Sequence, residues 1–460
     1  MERDLSGKEQ SASGVADCPE ESLLDCADAK IAVPQVIGSV GPETIEGFEE
    51  ALEAERGRDF PAIVRSLRHE DFRRFWTGNF LSNIGTWMQN VAQGWLVLQL
   101  TNSSFWLGFI GFAASFPFLV VTMFGGVIAD RVNRRRLLMV TQSVMMVLAF
   151  VMAYLTWRHI ITVKWLAVLA FLNGVAMSLN APSYQAMVPQ LVPREDLPNA
   201  IALNSAQFNL SRVLGPTLGG YAMAAFGIAG NFFLNGLSFL AVLFAIAKIR
   251  YPLPAPRRAE SVWKSLREGF RYVNRVKEMR AVVLLIMAGS FFLLPFLTFI
   301  PYFAKNAVHA DERGLGLLMA CSGLGAFISA ASVAYVGKIR ERGRVIVISG
   351  LIGSAAVITI CYAHSFALFA AMQFIEGASL VLMVSTVNIT VQQLSSDEMR
   401  GRANSLYATA FLGLPPIGAL LAGELSRHMP ASHAIAAMAG TAMVSFVIFY
   451  ATSKPLQQLD

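Results

Sequence analysis

Eleven residues, Gly126-Val127-Ile128-Ala129-Asp130-Arg131-Val132-Asn133-Arg134-Arg135-Arg136, separate two long apolar runs. Each run is long enough to cross a lipid bilayer as a helix. A carboxylate and four arginines in so short a loop must stay at one membrane face, because a charge at the bilayer centre costs about 3 kcal/mol or more. Short loops rich in Lys and Arg remain cytoplasmic, so this stretch predicts a membrane protein and the orientation of its first spans.

The composition agrees with a membrane protein. Of the 460 residues 55% are hydrophobic and 15% are charged, whereas soluble proteins have about 25% charged residues. Residues 1–56 include fourteen acidic and four basic side chains and no apolar run long enough to be a signal peptide. We therefore expect a disordered, acidic cytoplasmic extension at 1–58. The rest is basic, which suits contact with anionic membrane lipids and not nucleic acid, because the charges flank apolar spans.

Twelve segments approach the roughly 20 apolar residues that a transmembrane helix needs. With the amino terminus inside, cytoplasmic segments near the spans carry 28 Lys and Arg and the outer loops carry five, so both termini are predicted to be cytoplasmic. The predicted spans are 75–100, 105–128, 137–157, 165–189, 199–226, 228–249, 281–302, 315–336, 345–364, 366–394, 403–425 and 434–452.

The two halves of the sequence repeat weakly. Asn173-Gly174 recurs as Glu376-Gly377, and Asn204-Ser205 recurs as Asn404-Ser405. Such symmetry is typical of transporters in which two bundles rock about a substrate site near the membrane midplane. The predicted parts are a six-helix bundle at 59–250, a cytoplasmic linker with an amphipathic helix at 251–280, and a second six-helix bundle at 281–460.

The arginine-rich loop resembles the loop between helices two and three of the major facilitator superfamily. The pattern of that loop is Gly, then any three residues, then Asp, then Arg or Lys, then any residue, then Gly, then Arg, and finally Arg or Lys. The sequence departs from this pattern at Asn133, where Gly is usual. Asn tolerates a left-handed backbone next best, so we expect the turn to be kept. Segments 72–136, 189–220, 315–326 and 393–407 resemble the subfamily that includes the enterobactin exporter and related macrolide and tetracycline efflux proteins.

The resemblance implies an all-α membrane protein of twelve helices in two pseudo-symmetric bundles, in a bacterial cytoplasmic membrane. It also implies an inner gate, in which Asp130 holds the cytoplasmic side shut near a facing helix or against nearby arginines. The alternative is a stop-transfer charge cluster that only fixes topology. The corresponding loop of the second half, 337–342, has no Asp at the position that matches Asp130, so only the first half carries the complete gate. Its predicted residues are Gly126, Asp130, Arg131, Arg134 and Arg135.

A second motif, Gly215-Pro216-Thr217-Leu218-Gly219-Gly220, resembles the helix-five motif of the antiporter branch, which consists mostly of exporters. Pro216 removes a helical hydrogen bond, and the glycines allow a neighbouring helix to approach closely. The alternative is that Pro and Gly are simply common in membrane helices. The predicted motif residues are Gly215, Pro216, Gly219 and Gly220.

Two ionisable residues, Arg212 and Glu376, lie near the middle of their predicted spans. Apolar surroundings favour the protonated form of a carboxyl group, and a nearby guanidinium favours the ionised form. Rocking of the bundles that changes the distance between the two groups can therefore load and unload a proton. We therefore predict proton coupling at Glu376 with Arg212 as its partner. The alternatives are a static buried pair, or two unrelated residues that face a wet cavity.

Polar and aromatic side chains are concentrated on the predicted first, fourth and tenth helices. A mainly uncharged lining with aromatic rings suits an amphipathic organic solute better than a bare ion. For any single Asn or Gln the alternative is a hydrogen bond between helices. The predicted cavity residues are Asn83, Trp87, Gln89, Asn90, Gln93, Asn173, Asn180, Phe374, Asn388 and Gln392.

These features predict a secondary active transporter, a monomer that exports a siderophore-like or drug-like amphipathic small molecule against proton entry. The sequence has no Gly-rich phosphate loop, metal-ligand spacing or nucleophile motif, so we expect no enzyme activity, cofactor or metal. Two alternatives stay open: an uptake symporter or uniporter of a small organic solute, and a membrane scaffold or receptor that does not transport.

Overall fold

The computed structural model describes residues 62–131, 133–249, 262–337, 339–396 and 398–459, with the backbone alone at 62, 119–131 and 262–266. These residues are almost entirely helical. The acidic extension predicted at 1–58 lies outside the described residues. We call the helix ends predicted to face the cytoplasm inner ends and the opposite ends outer ends.

The first half contains two short 3-10 helices, Ala62–Arg68 and Val188–Gln190, and five α-helices. Gly227, with φ +70° and ψ 175°, interrupts the 52-residue helix α5. Glycine adopts this backbone conformation without steric cost, and the interruption falls between the predicted fifth and sixth spans. The α-helices are α1 (Glu70–Thr101), α2 (Ser104–Arg131), α3 (Arg134–Trp157), α4 (Val163–Met187) and α5 (Leu197–Lys248).

The second half contains nine further α-helices. One predicted span, 281–302, is not a single α-helix, because a π-helical turn at Gly289–Leu293 separates α7 from α8. Pro295, which has no backbone N–H, precedes α8 and favours a break at this place. The α-helices are α6 (Val262–Arg275), α7 (Lys277–Ala288), α8 (Phe296–Asn306), α9 (Glu312–Val336), α10 (Arg342–Cys361), α11 (Phe366–Leu394), α12 (Arg400–Leu425), α13 (Ala431–Thr452) and α14 (Lys454–Gln457).

Nine helices in the described part of the chain are long and apolar enough to cross a membrane. One of them is α5, which covers two predicted spans, and another joins α7 to α8 across the π-helical turn. Helix α1 is not among the nine, because Asn, Gln and Ser recur along it. Helix α2 counts only as the shorter apolar segment Ser104–Phe118. The all-helical membrane architecture is confirmed, and the number of twelve spans stays a prediction.

Asp196, the residue before α5, anchors the segment that leads into α1. Its side chain is 1% exposed, and its two carboxylate oxygens lie 2.8 Å from Arg65 Nε, 2.9 Å from Arg68 Nη2 and 2.7 Å from His69 Nε2. Burial raises the pKa of this carboxyl, but the hydrogen bond from His69 and the charges of Arg68 and Arg65 outweigh it, so the pKa lies below its ordinary value. This cluster joins the start of the first half to the α4–α5 loop.

The second half repeats this arrangement with the charges exchanged. Arg402 of α12 pairs with Glu268 of α6 at 2.8 Å. The Tyr272 hydroxyl donates to the carbonyl of Leu394 at 3.3 Å and accepts from the N–H of Ser396 at 3.1 Å. In each half, therefore, the segment before the first span is tied to the loop before the fifth. This correspondence extends the internal repeat from sequence to tertiary contacts.

Asp196→Asn should lower the free energy of unfolding by about 2 kcal/mol at neutral pH, since two guanidinium groups and the His69 ring lose a buried partner and one of the guanidinium groups is half exposed. A depressed pKa stabilises the fold above the unfolded value of about 4, and this stabilisation disappears as the pH falls through the folded value. The difference between wild type and variant should therefore shrink below about pH 4. Thermal unfolding of purified protein at neutral and acidic pH measures it.

Glu195→Gln is the matched control, because Glu195 is 82% exposed and lies 3.9 Å from Arg65. We expect no measurable change in stability for this variant. An Asp196→Asn protein as stable as wild type at neutral pH would contradict the anchoring role.

Candidate functional site

A central cavity of about 300 Å³ lies between the two halves of the protein. Helices α1, α2 and α5 line it from the first half, and α8 and α9 line it from the second. Its lining is mainly apolar, and Arg212 is its one charged side chain among the described residues. Of the predicted site residues, the structure places Trp87, Asn90, Gln93, Arg212 and Pro216 in this lining.

A second cavity, of about 360 Å³, lies inside the first half toward the inner ends of α1, α3, α4 and α5. It contains two predicted cavity residues, Asn83 and Asn180. Sequence reasoning missed several polar members of this lining, although the spacing of Asn79, Asn83 and Thr86 along one helical face is a signal for it. The missed polar residues are Asn79, Ser82, Thr86, Gln142, Tyr184, Gln185, Asn204, Ser205 and Asn209.

The other predicted cavity residues line neither cavity. The side-chain oxygen of Gln89 accepts a hydrogen bond from Asn235 Nδ2 at 2.7 Å inside the bundle, which is the alternative role considered for such amides. Gln392 donates to Asn388 on the same helix. Asn173 and Phe374 are both half-buried outside the two linings.

Glu376 is buried, with 3% of its surface exposed. Its side-chain oxygen Oε2 accepts a hydrogen bond from the Ser322 hydroxyl at 3.0 Å, and Ser322 itself lines the central cavity. No ion pair within 4.0 Å joins Glu376 to Arg212, which are both described residues. The carboxyl therefore lies one hydroxyl group away from a cavity that contains the guanidinium.

Close backbone packing around Ser322 sets the positions of both ionisable groups. A Cβ atom at Gly323 would lie 2.9 Å from the carbonyl oxygen of Arg212. A Cβ atom at Gly377 would lie 2.0 Å from the carbonyl oxygen of Ser322, and one at Gly325 would lie 2.0 Å from that of Phe374. Glycine is needed at these crossings, so α9 lies directly against the backbones of α5 and α11.

The predicted helix-five motif places α5 between α1 and α9. Cβ atoms at Gly215 and Gly219 would lie 2.3 Å from Trp87 Cβ and 3.0 Å from Met88 Cα, both on α1. On another face, a Cβ atom at Gly220 would lie 2.5 Å from the carbonyl oxygen of Glu312 on α9. The helix continues through Pro216, whose carbonyl oxygen faces α9 at Gly316. The motif thus provides close contact both within the first half and between halves.

The outer ends of the two halves are joined by side chains as well as by glycines. Trp95 of α1 donates its indole N–H to Glu312 Oε1 of α9 at 2.9 Å. Lys305 of α8 donates to the carbonyl of Leu98 at 3.2 Å, and the guanidinium of Arg427 lies 5.1 Å from the centre of the Phe105 ring. At the inner end of α9, by contrast, Tyr335 is 94% exposed. With the predicted orientation, these three contacts join the two halves on the outer side.

The structure describes the predicted inner gate only in part. Gly126, Asp130 and Arg131 lie in the last turns of α2, and their side chains are outside the described residues. Arg135 donates to the carbonyl of Ala247 near the end of α5 at 2.6 Å, and Arg134 begins α3. The latch at Asp130 therefore stays a prediction.

The prediction of a left-handed backbone at Asn133 is wrong. Its φ is −59°, and its side chain accepts a hydrogen bond from the N–H of Arg136. Asn133 therefore acts as the amino-terminal cap of α3. Asn is well suited to this role because its side-chain oxygen accepts the hydrogen bond, and Gly has no side chain that could do so.

Comparison with known proteins assigns the family. A sequence profile described as a transmembrane secretion effector matches residues 63–459, nearly the whole described chain. The chain belongs to this family of the major facilitator superfamily. Its helices, its internal repeat and its cavity between two halves agree with that assignment, so this facilitator is a membrane transporter of small molecules and not an enzyme.

Curated relatives of this facilitator are transporters. It is 22% identical to the staphyloferrin A transporter of Staphylococcus aureus, over 75% of this chain and 87% of the relative. It is 26% identical to the multidrug efflux pump Tap of Mycolicibacterium fortuitum, over 73% and 84%, and 26% identical to the enterobactin exporter EntS of Shigella boydii, over 83% and 91%.

Solved structures share the fold. A POT family transporter superposes with a TM-score of 0.68 at 12% identity, covering 84% of this chain and 96% of that one. The nucleoside transporter NupG superposes with a TM-score of 0.65 at 12% identity, covering 84% and 99%. At this identity, the likeness establishes the facilitator fold alone.

Gly377→Ala should destabilise this facilitator by about 3 kcal/mol, because the added methyl group meets a backbone carbonyl that has no freedom to move aside. Gly440→Ala is the control, since a Cβ atom there meets nothing within 4 Å, and we expect it to be neutral or slightly stabilising. Thermal unfolding monitored by size-exclusion chromatography compares the two variants. Equal stability would contradict the close crossing of α9 and α11.

Trp95→Phe should open the outer side, because it removes the donor to Glu312 and so costs the closed state about 1 kcal/mol, or about fivefold in population. The readout is the rate at which a membrane-impermeant thiol reagent, added from outside, modifies Thr298→Cys in the central cavity. The background lacks the four native cysteines. Trp157→Phe is the control, because Trp157 is 66% exposed at the same end, and an equal rate increase there would contradict a specific role for Trp95.

Proposed function

We propose that this transporter is a proton-coupled exporter of amphipathic small molecules, a monomer of the bacterial cytoplasmic membrane with both termini inside. The observation that carries the proposal is the buried Glu376 carboxyl, hydrogen-bonded to Ser322 beside a cavity that contains Arg212. Two similar proteins, the multidrug efflux pump Tap and the enterobactin exporter EntS, are named as exporters, which supports the outward direction.

The proton site follows from the balance of burial and charge at Glu376. A carboxylate enclosed by helices is costly unless a cation compensates it, and Arg212 is the charged side chain of the cavity that is also lined by Ser322, the hydrogen-bond donor to Glu376. When the two groups separate, the carboxyl takes up a proton, and when they approach, it releases the proton. A movement of α5 relative to α11 therefore changes the proton affinity of Glu376.

The substrate site follows from the lining of the central cavity. Trp87 and the aliphatic side chains provide apolar area, Asn90 and Gln93 provide hydrogen bonds, and Arg212 provides one positive charge. Such a lining suits an organic solute with apolar and polar parts. In the proposed cycle the substrate binds from the cytoplasm near Arg212, the bundles rock, and the substrate leaves outward while Glu376 accepts a proton from the outer side.

Glu376→Gln should abolish transport driven by a pH gradient while substrate binding changes by less than about threefold, because the amide keeps the hydrogen bond but carries no exchangeable charge. The assay uses inside-out vesicles with an imposed pH gradient. Enterobactin, staphyloferrin A and a panel of hydrophobic dyes serve as substrates, and binding is measured on purified protein without a gradient.

Gln373→Met is the matched control, since Gln373 lies one turn before Glu376 on α11 and is fully buried. Its two amide atoms have no hydrogen-bond partner among the described residues, so its replacement should preserve or raise stability and leave coupling unchanged. Gradient-driven transport by Glu376→Gln at the wild-type rate would overturn proton coupling at this residue. Accumulation in the opposite direction would favour the uptake alternative, and no transport of any compound would favour the scaffold alternative.

A further inference from the structure

The second cavity differs from the central one in its chemistry. No charged side chain lines it among the described residues, and eleven of its sixteen lining residues, on four helices, carry an amide or a hydroxyl group. A charged group placed there would lose its hydration without gaining a counter-charge. An uncharged group with several hydrogen-bonding atoms would instead exchange water for side-chain partners at little cost. The cavity volume of about 360 Å³ lies within the range of small-molecule sites.

Two buried amides in this wall have unused hydrogen-bonding capacity. Asn79 is 4% exposed and Gln142 is 3% exposed. The Asn79 amide nitrogen and the Gln142 amide oxygen have no hydrogen-bond partner among the described residues. A donor and an acceptor left unpaired in a protein interior each cost about 1–3 kcal/mol. Both atoms are buried in the unliganded protein, so a ligand reaches them when the two side chains turn toward the cavity. A ligand that then supplied both partners would recover part of that cost, and a secondary amide group supplies both an acceptor and a donor.

The remaining amides are held in place by the protein. Asn180 Oδ1 accepts from the Thr141 hydroxyl at 3.1 Å and from Gln142 Nε2 at 3.3 Å. The Tyr184 hydroxyl donates to Asn204 Oδ1 and so joins α4 to α5 across the cavity. These bonds fix the orientation of Asn180, Tyr184 and Asn204, and a selective site requires a wall that is organised before the ligand binds.

A polar face of α1 connects the two cavities. Asn79, Asn83 and Thr86 line the second cavity, and Asn90 and Gln93 line the central one. Their spacing of three or four residues places all five on one side of the helix. This face extends over about 21 Å at 1.5 Å per residue. A solute that enters the first half from the inner side can therefore exchange hydrogen bonds along α1 until it reaches Arg212.

We propose that the second cavity is a binding subsite for an uncharged, hydrogen-bonding part of the transported solute, such as an amide-bearing segment. The subsite selects cytoplasmic solutes by their amide groups before they reach the central cavity. This inference rests on the proposed transport function and names a chemical feature of its substrates. It assigns Asn79 and Gln142 a direct role in specificity.

The test uses two uncharged fluorescent probes that share one coumarin ring. One carries a tail with two secondary amides, and the other carries an alkyl tail of the same length. Fluorescence polarisation measures their dissociation constants for protein in lipid nanodiscs, with no proton gradient. We expect the ratio of the two constants to change by about tenfold in favour of the alkyl probe in Asn79→Leu/Gln142→Met, since two hydrogen bonds are lost.

Stability provides an independent readout for the same variant. The variant loses the 3.3 Å hydrogen bond from Gln142 to Asn180, which still accepts from Thr141, but it also removes two unpaired buried polar atoms. These effects offset each other, so the unliganded protein should be about as stable as wild type, and weaker binding of the amide probe would not result from unfolding. Asn173→Leu/Gln392→Met is the matched control, because both amides lie outside the two linings, and its probe ratio should equal that of wild type. Asn83→Leu, a half-buried position in the same wall, should shift the ratio in the same direction as the first variant.

An unchanged probe ratio in both Asn79→Leu/Gln142→Met and Asn83→Leu would overturn the proposal and would mean that the cavity holds water only. The experiment separates this failure from a failure of antiport. Binding is measured without a gradient, so a transporter that is not proton-coupled at Glu376 would still show the amide preference. Conversely, failure of the amide prediction would not change the effect of Glu376→Gln on transport that the proposed function predicts.

Discussion

The contact of α9 with two neighbouring backbones is the constraint on which the rest of the structure depends. Gly323 lies against α5 of the first half and Gly325 lies against α11 of the second. Side chains two residues apart on a helix point to nearly opposite sides, so at this level α9 lies between α5 of the first half and α11 of its own half. Ser322, the adjacent residue, donates to Glu376. The carboxyl and Arg212 are therefore placed by backbone contacts and not by a direct ion pair.

This packing also suggests how the halves move relative to each other. Surfaces built from glycine have no side chains that interlock, so α5 can slide or tilt against α9 without repacking a core. At the outer ends, a few single hydrogen bonds also join the halves, such as the bond from Trp95 to Glu312 and the bond from Lys305 to a backbone carbonyl. The inner-side anchors at Asp196 and Arg402 lie within single halves, so they keep each bundle rigid while the bundles rock.

Local patterns in the sequence predicted the helical membrane architecture, the break near Gly227 and the glycine-rich face of α5. The central placement of Arg212 and Glu376 followed from their depth in the spans. Contacts between separate segments were not predictable in this way: Asp196 binds residues about 130 positions earlier in the chain, and Tyr184 of α4 donates a hydrogen bond to Asn204 of α5. The predicted cavity list was also too broad, since an amide such as Gln89 has the same sequence signature whether it lines a cavity or bonds to another helix.

The central claim is that the protonation state of Glu376 controls which side of the transporter is open. Double electron–electron resonance tests it with spin labels at Lys164→Cys and Met429→Cys, at the outer ends of the two halves, in a background without the native cysteines. The account predicts that the distance distribution changes between about pH 5 and pH 8 in the wild-type background and becomes independent of pH in Glu376→Gln. A distribution with the same pH dependence in both proteins would contradict it.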